Sequence, residues 1–322
     1  MKNQDNYGAL QFILSLALFM GAGISNLLTN NKSDAWICII LGTIFGFIIL
    51  KIFSKLNNKG LKITSYISNI VILFFGLFGT TKLISSVYLS STPSYIIMIP
   101  NILLIIYTVK QGFSAFLRST NTLFIFLLIL ILSTAFMLLP GIEIDYFKPV
   151  MTSKINNILL GSLSFAITMT LPIVLIPNFK EYYKPKFYLY SAIILFIIII
   201  CTFGNLGVEM SALYRYPEYI VLKRISALNF IDNVENILFI IWIIIGFTSS
   251  TMSSLNIKKL YGNKVFYISI ISLYLLISFW LIDNYKVIEF LAKHYLAILA
   301  SIMIVLLLSK IKKNKKAKKS KK

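Results

Sequence analysis

The chain has 322 residues, of which 58% are hydrophobic and 13% are charged, and its net charge at pH 7 is +20. Soluble domains contain about 45–50% apolar and about 25% charged residues, so this composition and a mean hydropathy of +0.84 exclude a soluble enzyme, a disordered chain and a secreted disulfide scaffold. Cys38 and Cys201 lie in apolar runs and His294 is the single histidine, which leaves no disulfide or zinc framework. We therefore expect a polytopic membrane protein.

Ten apolar segments, each bounded by polar or charged residues, follow one another along the chain. A membrane-spanning helix needs roughly 20 apolar residues, so we expect an all-α protein with about ten transmembrane helices. Segment 1 is expected to be a retained span rather than a signal peptide, because nine further apolar segments follow it. The segments, numbered 1 to 10 below, cover residues 8–28, 35–53, 63–89, 94–109, 119–139, 155–176, 187–208, 237–256, 265–282 and 288–309.

The basic residues predict how these segments are oriented. If the N-terminus is cytoplasmic, the regions on the cytoplasmic side carry 22 Lys and Arg residues and the regions on the other side carry 8, so the positive-inside rule favours two cytoplasmic termini. Nine lysines fall between Lys310 and Lys322, and we interpret them as a tail beside anionic lipid head groups rather than a nucleic-acid-binding element. We expect one transmembrane domain over residues 1–311 and a basic cytoplasmic tail over 312–322.

Segment 1 carries a glycine pair near its middle, in the run 21–24. Each glycine costs a helix about 1 kcal/mol, and unwound backbone at membrane depth is tolerated only where it is buried in protein or lines a cavity. Segment 6 carries small residues in the run 161–166, followed by Pro172. Paired interruptions at positions 1 and 6 indicate a substrate site in transporters built from inverted repeats, although small residues also permit close helix packing. The candidate ligand-binding residues of these two segments are Gly21, Ala22, Gly23, Ile24, Ser162, Ser164 and Phe165.

Polar residues within two other spans are also candidates. Lys82 is the one charge deep inside a predicted span, and such residues indicate a functional site by default. It is a candidate for meeting a ligand carboxylate or replacing a coupling cation, with snorkelling as the alternative. The hydroxyl run in segment 8 is a candidate cation site, although Ser and Thr also hydrogen-bond to the preceding helical turn. Its members are Thr248, Ser249, Ser250 and Thr251.

The remaining polar features predict local structure rather than chemistry. The connection 209–236 alternates apolar and charged residues with helix-like spacing, so we expect short helices at the outer interface. Glu289 and Lys293 are spaced i, i+4 and are expected to form a local ion pair. The sequence has no Gly-rich phosphate loop, no Cys/His cluster and no deep Asp or Glu. We therefore expect no catalytic residues, no metal, no cofactor and no enzyme activity.

Several short motifs occur in a recognisable order. The run Asp34-Ala35-Trp36-Ile37 opens segment 2, and Ser91-Thr92-Pro93 opens segment 4. The long connection and segment 8 contain Tyr216-Pro217, Lys223-Arg224-Ile225-Ser226, Phe230, Glu235 and Trp242. This ordered set resembles the spore germination permeases, the GerAB-like B subunits of spore germinant receptors. The Gly-Ala-Gly-Ile run of segment 1 is similar to the broken first helix of the wider amino acid–polyamine–organocation (APC) transporter superfamily.

The resemblance implies a LeuT/APC-like fold of two inverted five-helix repeats, over about 8–139 and 155–309, with helices 1 and 6 broken. It also implies a permease-like receptor subunit that senses a small germinant, typically an amino acid, at the inner membrane of a dormant spore. The implied partners are an A-type membrane subunit and a C-type lipoprotein. The chain departs from the family in segment 6, where many members have a Glu and this sequence reads Phe165-Ala166-Ile167-Thr168-Met169.

Two other functions fit the same residues. An amino-acid or amine secondary transporter, driven by protons or sodium, would share the fold, although the missing segment 6 carboxylate and the lack of a deep Asp or Glu argue against proton coupling. A non-transporting membrane scaffold would use the connection 209–236 and the lysine tail as docking surfaces.

Overall fold

The computed structural model describes the backbone of residues 2–19, 22–56, 61–148, 150–224, 234–282 and 284–319, with side chains for all of these except 2–6, 22 and 313–319. Within these ranges the protein is all-α, as predicted, and has no strand. The helices are α1 (Lys2–Leu16), α2 (Ala22–Asn31), α3 (Ala35–Lys55), α4 (Lys62–Leu83), α5 (Ser94–Gln111), α6 (Phe113–Leu138), α7 (Ile155–Val174), α8 (Phe179–Tyr182), α9 (Pro185–Leu213), α10 (Pro217–Arg224), α11 (Glu235–Leu276) and α12 (Tyr285–Lys319).

Eight helices in the described part of the chain are long and apolar enough to span a membrane, and two features reconcile this number with ten crossings. α11 has 42 residues, a length of about 63 Å, which is roughly twice the thickness of a hydrocarbon core. It bends at Gly262, whose φ is +85°, and therefore contains both segment 8 and segment 9. Segment 1 is divided between α1 and α2, each of which is too short to span alone.

Segment 1 is broken close to where its glycine pair predicts. α1 ends at Leu16, residues 17–19 form turns, and α2 begins at Ala22. Gly21 lies outside the described residues. Gly23 is buried, and a Cβ atom at this position would lie 2.8 Å from the Phe19 ring. Close packing across the break therefore accounts for one glycine of the pair.

Segment 6 is interrupted at its end rather than at its small residues. α7 is continuous from Ile155 to Val174, so the expectation that the run 161–166 supplies unwound backbone is wrong. Gly161 instead makes room for a neighbouring helix, because a Cβ atom there would lie 2.5 Å from the Asn31 amide nitrogen. The helix ends soon after Pro172, residues 175–178 form turns, and the single turn of α8 follows. The missing proline N–H weakens the helix near this point.

Two helix pairs form the most extensive contacts of the bundle, α3 with α7 and α4 with α11. The second pair crosses at glycines on both sides. A Cβ atom at Gly76 would lie 2.3 Å from the Ser250 hydroxyl oxygen, and a Cβ atom at Gly246 would lie 2.2 Å from the Thr80 methyl group. Segments 3 and 8 therefore approach more closely than any larger residue at these positions permits.

Two lysines make equivalent cross-links in the two halves of the chain. The Lys82 Nζ, near the end of segment 3, donates to the carbonyl of Ile282 at the end of segment 9, at 3.1 Å. The Lys258 Nζ, at the end of segment 8, donates to the carbonyl of Val109 near the end of segment 4, also at 3.1 Å. In two structural repeats of five segments, segment 3 corresponds to segment 8 and segment 4 corresponds to segment 9. Each lysine therefore joins equivalent segments of the two repeats, one bond from segment 3 to segment 9 and the other from segment 8 to segment 4.

Hydrogen bonds between parts of the chain that are far apart in sequence mark the two ends of the bundle. At the end of the bundle that carries the start of α1 and the end of α12, which we call the terminal end, the Gln11 Nε2 donates to the carbonyl of Tyr182 at 2.7 Å. At the opposite end, the Asp34 carboxylate accepts bonds from the backbone amides of Met151 at 2.6 Å and Ser153 at 2.8 Å. The described part of the connection 209–236 contains the short helix α10, as predicted, and residues 225–233 lie outside the described residues.

Candidate ligand-binding site

A cavity of about 120 Å³ lies beside the break in segment 1, and we call it the central cavity. Residues of segments 3, 8 and 10 form most of its wall, and Ala17 and Leu18 of the break complete it together with two residues before α10. A cavity of about 150 Å³ can hold a molecule of the size of benzene. The central cavity is therefore suited to a molecule no larger than a small amino acid.

A tyrosine from segment 10 fixes the broken backbone at the cavity wall. The Tyr295 hydroxyl donates to the carbonyl of Leu18 at 2.5 Å. A carbonyl freed by a helix break must find a donor when it is buried, and Tyr295 is buried and supplies one. The ring of Tyr295 also packs edge-on against Phe75, with centroids 5.3 Å apart. The shape of the cavity is therefore set jointly by segments 1, 3 and 10.

The charged residues that line the central cavity are both basic. Lys82 and Arg215 contribute to its wall and no acidic residue does, among the residues that the structure describes. The Lys82 Nζ donates to the Ile282 carbonyl, and this bond orients the ammonium. Most of the remaining wall is apolar or aromatic. This combination favours a small ligand that carries a carboxylate.

An aromatic group covers the cavity next to the connection before α10. The Arg215 guanidinium lies 5.6 Å from the centre of the Tyr216 ring, and that ring packs edge-on against Trp242 with centroids 5.3 Å apart. Burial raises the pKa of the Tyr216 phenol above its usual range, so the hydroxyl is a neutral donor at physiological pH. The Trp242 Nε1 is buried and has no hydrogen-bond partner among the described residues. Trp242 belongs to the cavity wall, so this N–H is a candidate donor to a ligand.

The candidate ligand-binding residues from the sequence fall into three places. Lys82 lines the central cavity. Ser164 lines a second, more polar cavity between α2, α7 and α12, which we call the polar cavity. Ile24, Ser162 and Phe165 are buried in helix packing, and neither cavity includes them. The Ser162 hydroxyl donates to the Ile158 carbonyl of its own helix, and the Phe165 ring packs on Phe19. The other three are Gly23, which is buried, Ala22, whose side chain is not described, and Gly21, which lies outside the described residues.

The four hydroxyl residues of segment 8 form two pairs that differ in their hydrogen bonding. The Thr248 and Ser249 hydroxyls donate to carbonyls of their own helix, those of Ile244 at 2.7 Å and Gly246 at 3.0 Å. The buried hydroxyls of Ser250 and Thr251 have no hydrogen-bond partner among the described residues. The second pair therefore keeps oxygen atoms available for a cation or a water molecule.

Comparison with known proteins identifies the family of this chain. The sequence model of the spore germination proteins, the spore permease family, matches residues 10–285. The chain belongs to this family. The permease is 23% identical over 268 residues to spore germination protein YndE of Bacillus subtilis (strain 168), an alignment that covers 73% of the permease and 74% of YndE.

The permease also resembles a solved transporter structure. That structure is Mhp1, a nucleobase-cation-symport-1 family transporter, in a closed conformation with bromovinylhydantoin bound. The TM-score is 0.60 with 12% identity, and the match covers 92% of the permease and 75% of Mhp1. The similarity confirms the predicted LeuT/APC-like fold, and family and fold together identify an integral, multi-pass membrane protein of the transporter or receptor kind rather than an enzyme.

Sequence reasoning missed several residues that the structure brings to the site or buries. Arg215 and Tyr295 lie at the wall of the central cavity, although Arg215 stands in a connection and the sequence around Tyr295 is that of an ordinary interfacial tyrosine. Glu218, in the connection before segment 8, is 3% exposed and lines a small cavity with residues of segments 5, 7 and 8. Glu218 stands near other charged residues in the sequence, and nothing in that pattern predicts that its side chain is buried.

Proposed function

We propose that this permease is the permease-like subunit of a spore germinant receptor and that its central cavity binds a small germinant such as an amino acid. The observation that carries the proposal is a small cavity at a helix break, lined by two cations and an apolar wall, in a member of the spore germination permease family. The ligand carboxylate would contact Lys82, and the Trp242 Nε1, which has no hydrogen-bond partner among the described residues, would supply a second donor. The apolar part of the ligand would face Phe75 and Phe78.

Ligand binding at this place would act through the contacts between elements. The cavity joins segments 1, 3, 8 and 10, so a ligand that fits one arrangement of these segments better than another shifts the equilibrium between them. The shift would pass to an A-type membrane subunit and a C-type lipoprotein. The proposed location is the inner membrane of the spore with both termini in the cytoplasm, as the distribution of lysines favours.

A working amino-acid or amine transporter is the second candidate function. It is favoured by the two unpartnered hydroxyls of Ser250 and Thr251 in the described part of the chain, because a coupling cation such as Na⁺ binds oxygen atoms. This candidate and the receptor use the same fold and differ in whether the ligand crosses the membrane.

Spores that lack this chain distinguish the two functions. Their germination is measured against a panel of single amino acids, and uptake of the same amino acids is measured in growing cells that lack the chain. We expect loss of germination to one or a few amino acids with unchanged uptake, and restoration by the intact gene. Normal germination combined with lost uptake would contradict the receptor proposal and favour the transporter.

A further inference from the structure

The polar cavity carries features of a binding site that the central cavity does not share. It has a volume of about 590 Å³, and its wall includes four asparagines, Ser164, Glu289 and Lys293. Most of these residues belong to the described part of α2, α7 and α12 near the opposite end of the bundle. Ala292 and Tyr295 line both cavities. The polar cavity is therefore directly adjacent to the central cavity.

The wall of the polar cavity contains a buried side-chain amide, that of Asn31, whose oxygen can accept a further hydrogen bond. Asn31 is 0% exposed, and its Nδ2 donates to the Leu27 carbonyl at 3.1 Å. Its Oδ1 has no hydrogen-bond partner among the described residues. A buried polar atom left without a partner is costly, and the absence of a side chain at Gly161 is what allows this amide to lie against α7. An incoming ammonium or amide group would satisfy the Asn31 oxygen.

Two opposite charges in the same wall are not paired with each other. Glu289 and Lys293 stand one helical turn apart on α12, about 6 Å along the axis, and both line the polar cavity. The expectation that they form a local ion pair is wrong, since the one salt bridge in the described part of the chain joins Lys148 and Asp145. A wall with separated positive and negative groups is complementary to a ligand with the reverse arrangement.

We propose that the polar cavity is a second binding site, which takes small zwitterions with a free ammonium and a free carboxylate. The ammonium lies between Glu289 and the Asn31 oxygen, and the carboxylate lies at Lys293. The zwitterion passes from there to the central cavity, where the two cations retain its carboxylate. This last step rests on the proposed function, whereas binding in the polar cavity does not.

The test uses the full chain in lipid nanodiscs with one reporter, Asn157→Cys, at the wall of the polar cavity. The native thiols of Cys38 and Cys201 are buried and leave the reporter as the reactive one. The measurement is the rate of alkylation by a small polar maleimide in the presence of L-valine, L-valinamide or isovalerate. The three probes share one apolar group. L-Valine carries both an ammonium and a carboxylate, L-valinamide carries the ammonium alone, and isovalerate carries the carboxylate alone. We expect L-valine to bind roughly two- to fivefold more tightly than either analogue, as for partly exposed charge pairs, and to slow alkylation correspondingly.

Single substitutions assign each charge and separate this site from the central one. In Glu289→Gln, L-valine should protect no better than isovalerate, and in Lys293→Met it should protect no better than L-valinamide. A misfolded variant would lose both preferences, so each selective loss is specific. Lys286→Met on the same helix is the matched control and should retain both, as should Lys82→Met in the central cavity. Equal protection by the three probes, or protection lost in Lys82→Met and kept in Lys293→Met, would overturn the proposal.

Discussion

A buried aspartate ties the two halves of the permease together at the end opposite the termini. Asp34 is 0% exposed, and it accepts backbone hydrogen bonds from Met151 and Ser153 in the connection that enters segment 6. Hydrogen bonds to a charged group contribute about 1.5–3 kcal/mol each. The sequence marks this residue only as part of a motif at the start of segment 2. The structure gives the motif a physical role in positioning the connection.

Replacing Asp34 by Asn should therefore destabilise the protein. The amide keeps one acceptor oxygen but turns an NH2 group towards the second backbone donor, so we expect a loss of about 1–3 kcal/mol. The measurement is thermal unfolding of the purified permease in detergent. Asp145→Asn is the matched control, because the Asp145 side chain is 89% exposed in its pair with Lys148 and exposed pairs contribute little. Equal unfolding temperatures for the two variants would contradict the role assigned to Asp34.

At the scale of helices, the sequence predicts where apolar segments lie better than it predicts how they touch. The ten segments lie largely within helices, because spanning helices must be long and apolar. The glycine pair of segment 1 predicts a break for a sound local reason, the cost of Gly in a helix. The same reasoning fails for Gly161 in segment 6, because that glycine serves a contact with Asn31, a partner 130 positions away in the sequence. A contact between distant residues leaves no local signal.

The crossing of α4 and α11 leaves no space for a side chain larger than glycine at Gly246. Gly246→Ala would place a methyl group 2.2 Å from the Thr80 methyl carbon, and overpacking of this kind costs about 1–3 kcal/mol. Gly79→Ala is the matched control on α4, because a Cβ atom there meets nothing within 4 Å. We expect a lower unfolding temperature for the first variant and an unchanged one for the second. Equal stability of both would show that the helices separate at little cost.

At the scale of the whole molecule, side chains bind the freed carbonyls at the end of segment 6. The Lys310 Nζ lies 3.4 Å from the carbonyl of Val174, and the Asn256 Nδ2 lies 2.9 Å from the carbonyl of Leu175. These contacts join segments 6, 8 and 10 at the terminal end of the bundle. The polar cavity lies towards the other end, so we infer that a ligand reaches the central cavity from there.

The site itself is only partly readable from the sequence. Lys82 could be chosen because a charge within a span is rare, and it does line the central cavity. The sequence gives no comparable indication for Tyr295 and Gly79, because tyrosines near the membrane interface and glycines within spans are common. Their role depends on helices that meet only after folding.

The central claim is that a small germinant binds in the central cavity, and Gly79 permits a direct test of it. Gly79 lines the cavity wall and has open space around it, so a larger side chain there fills the site without disturbing the helices. The measurement is calorimetric binding, to the purified permease in nanodiscs, of the amino acid that the spore panel identifies. We expect affinity to fall progressively from Gly79 to Ala to Leu, by at least about tenfold for Leu, with an unchanged unfolding temperature. Ser133→Leu, on the exposed face of α6, should bind normally, and undiminished affinity in Gly79→Leu would contradict the account.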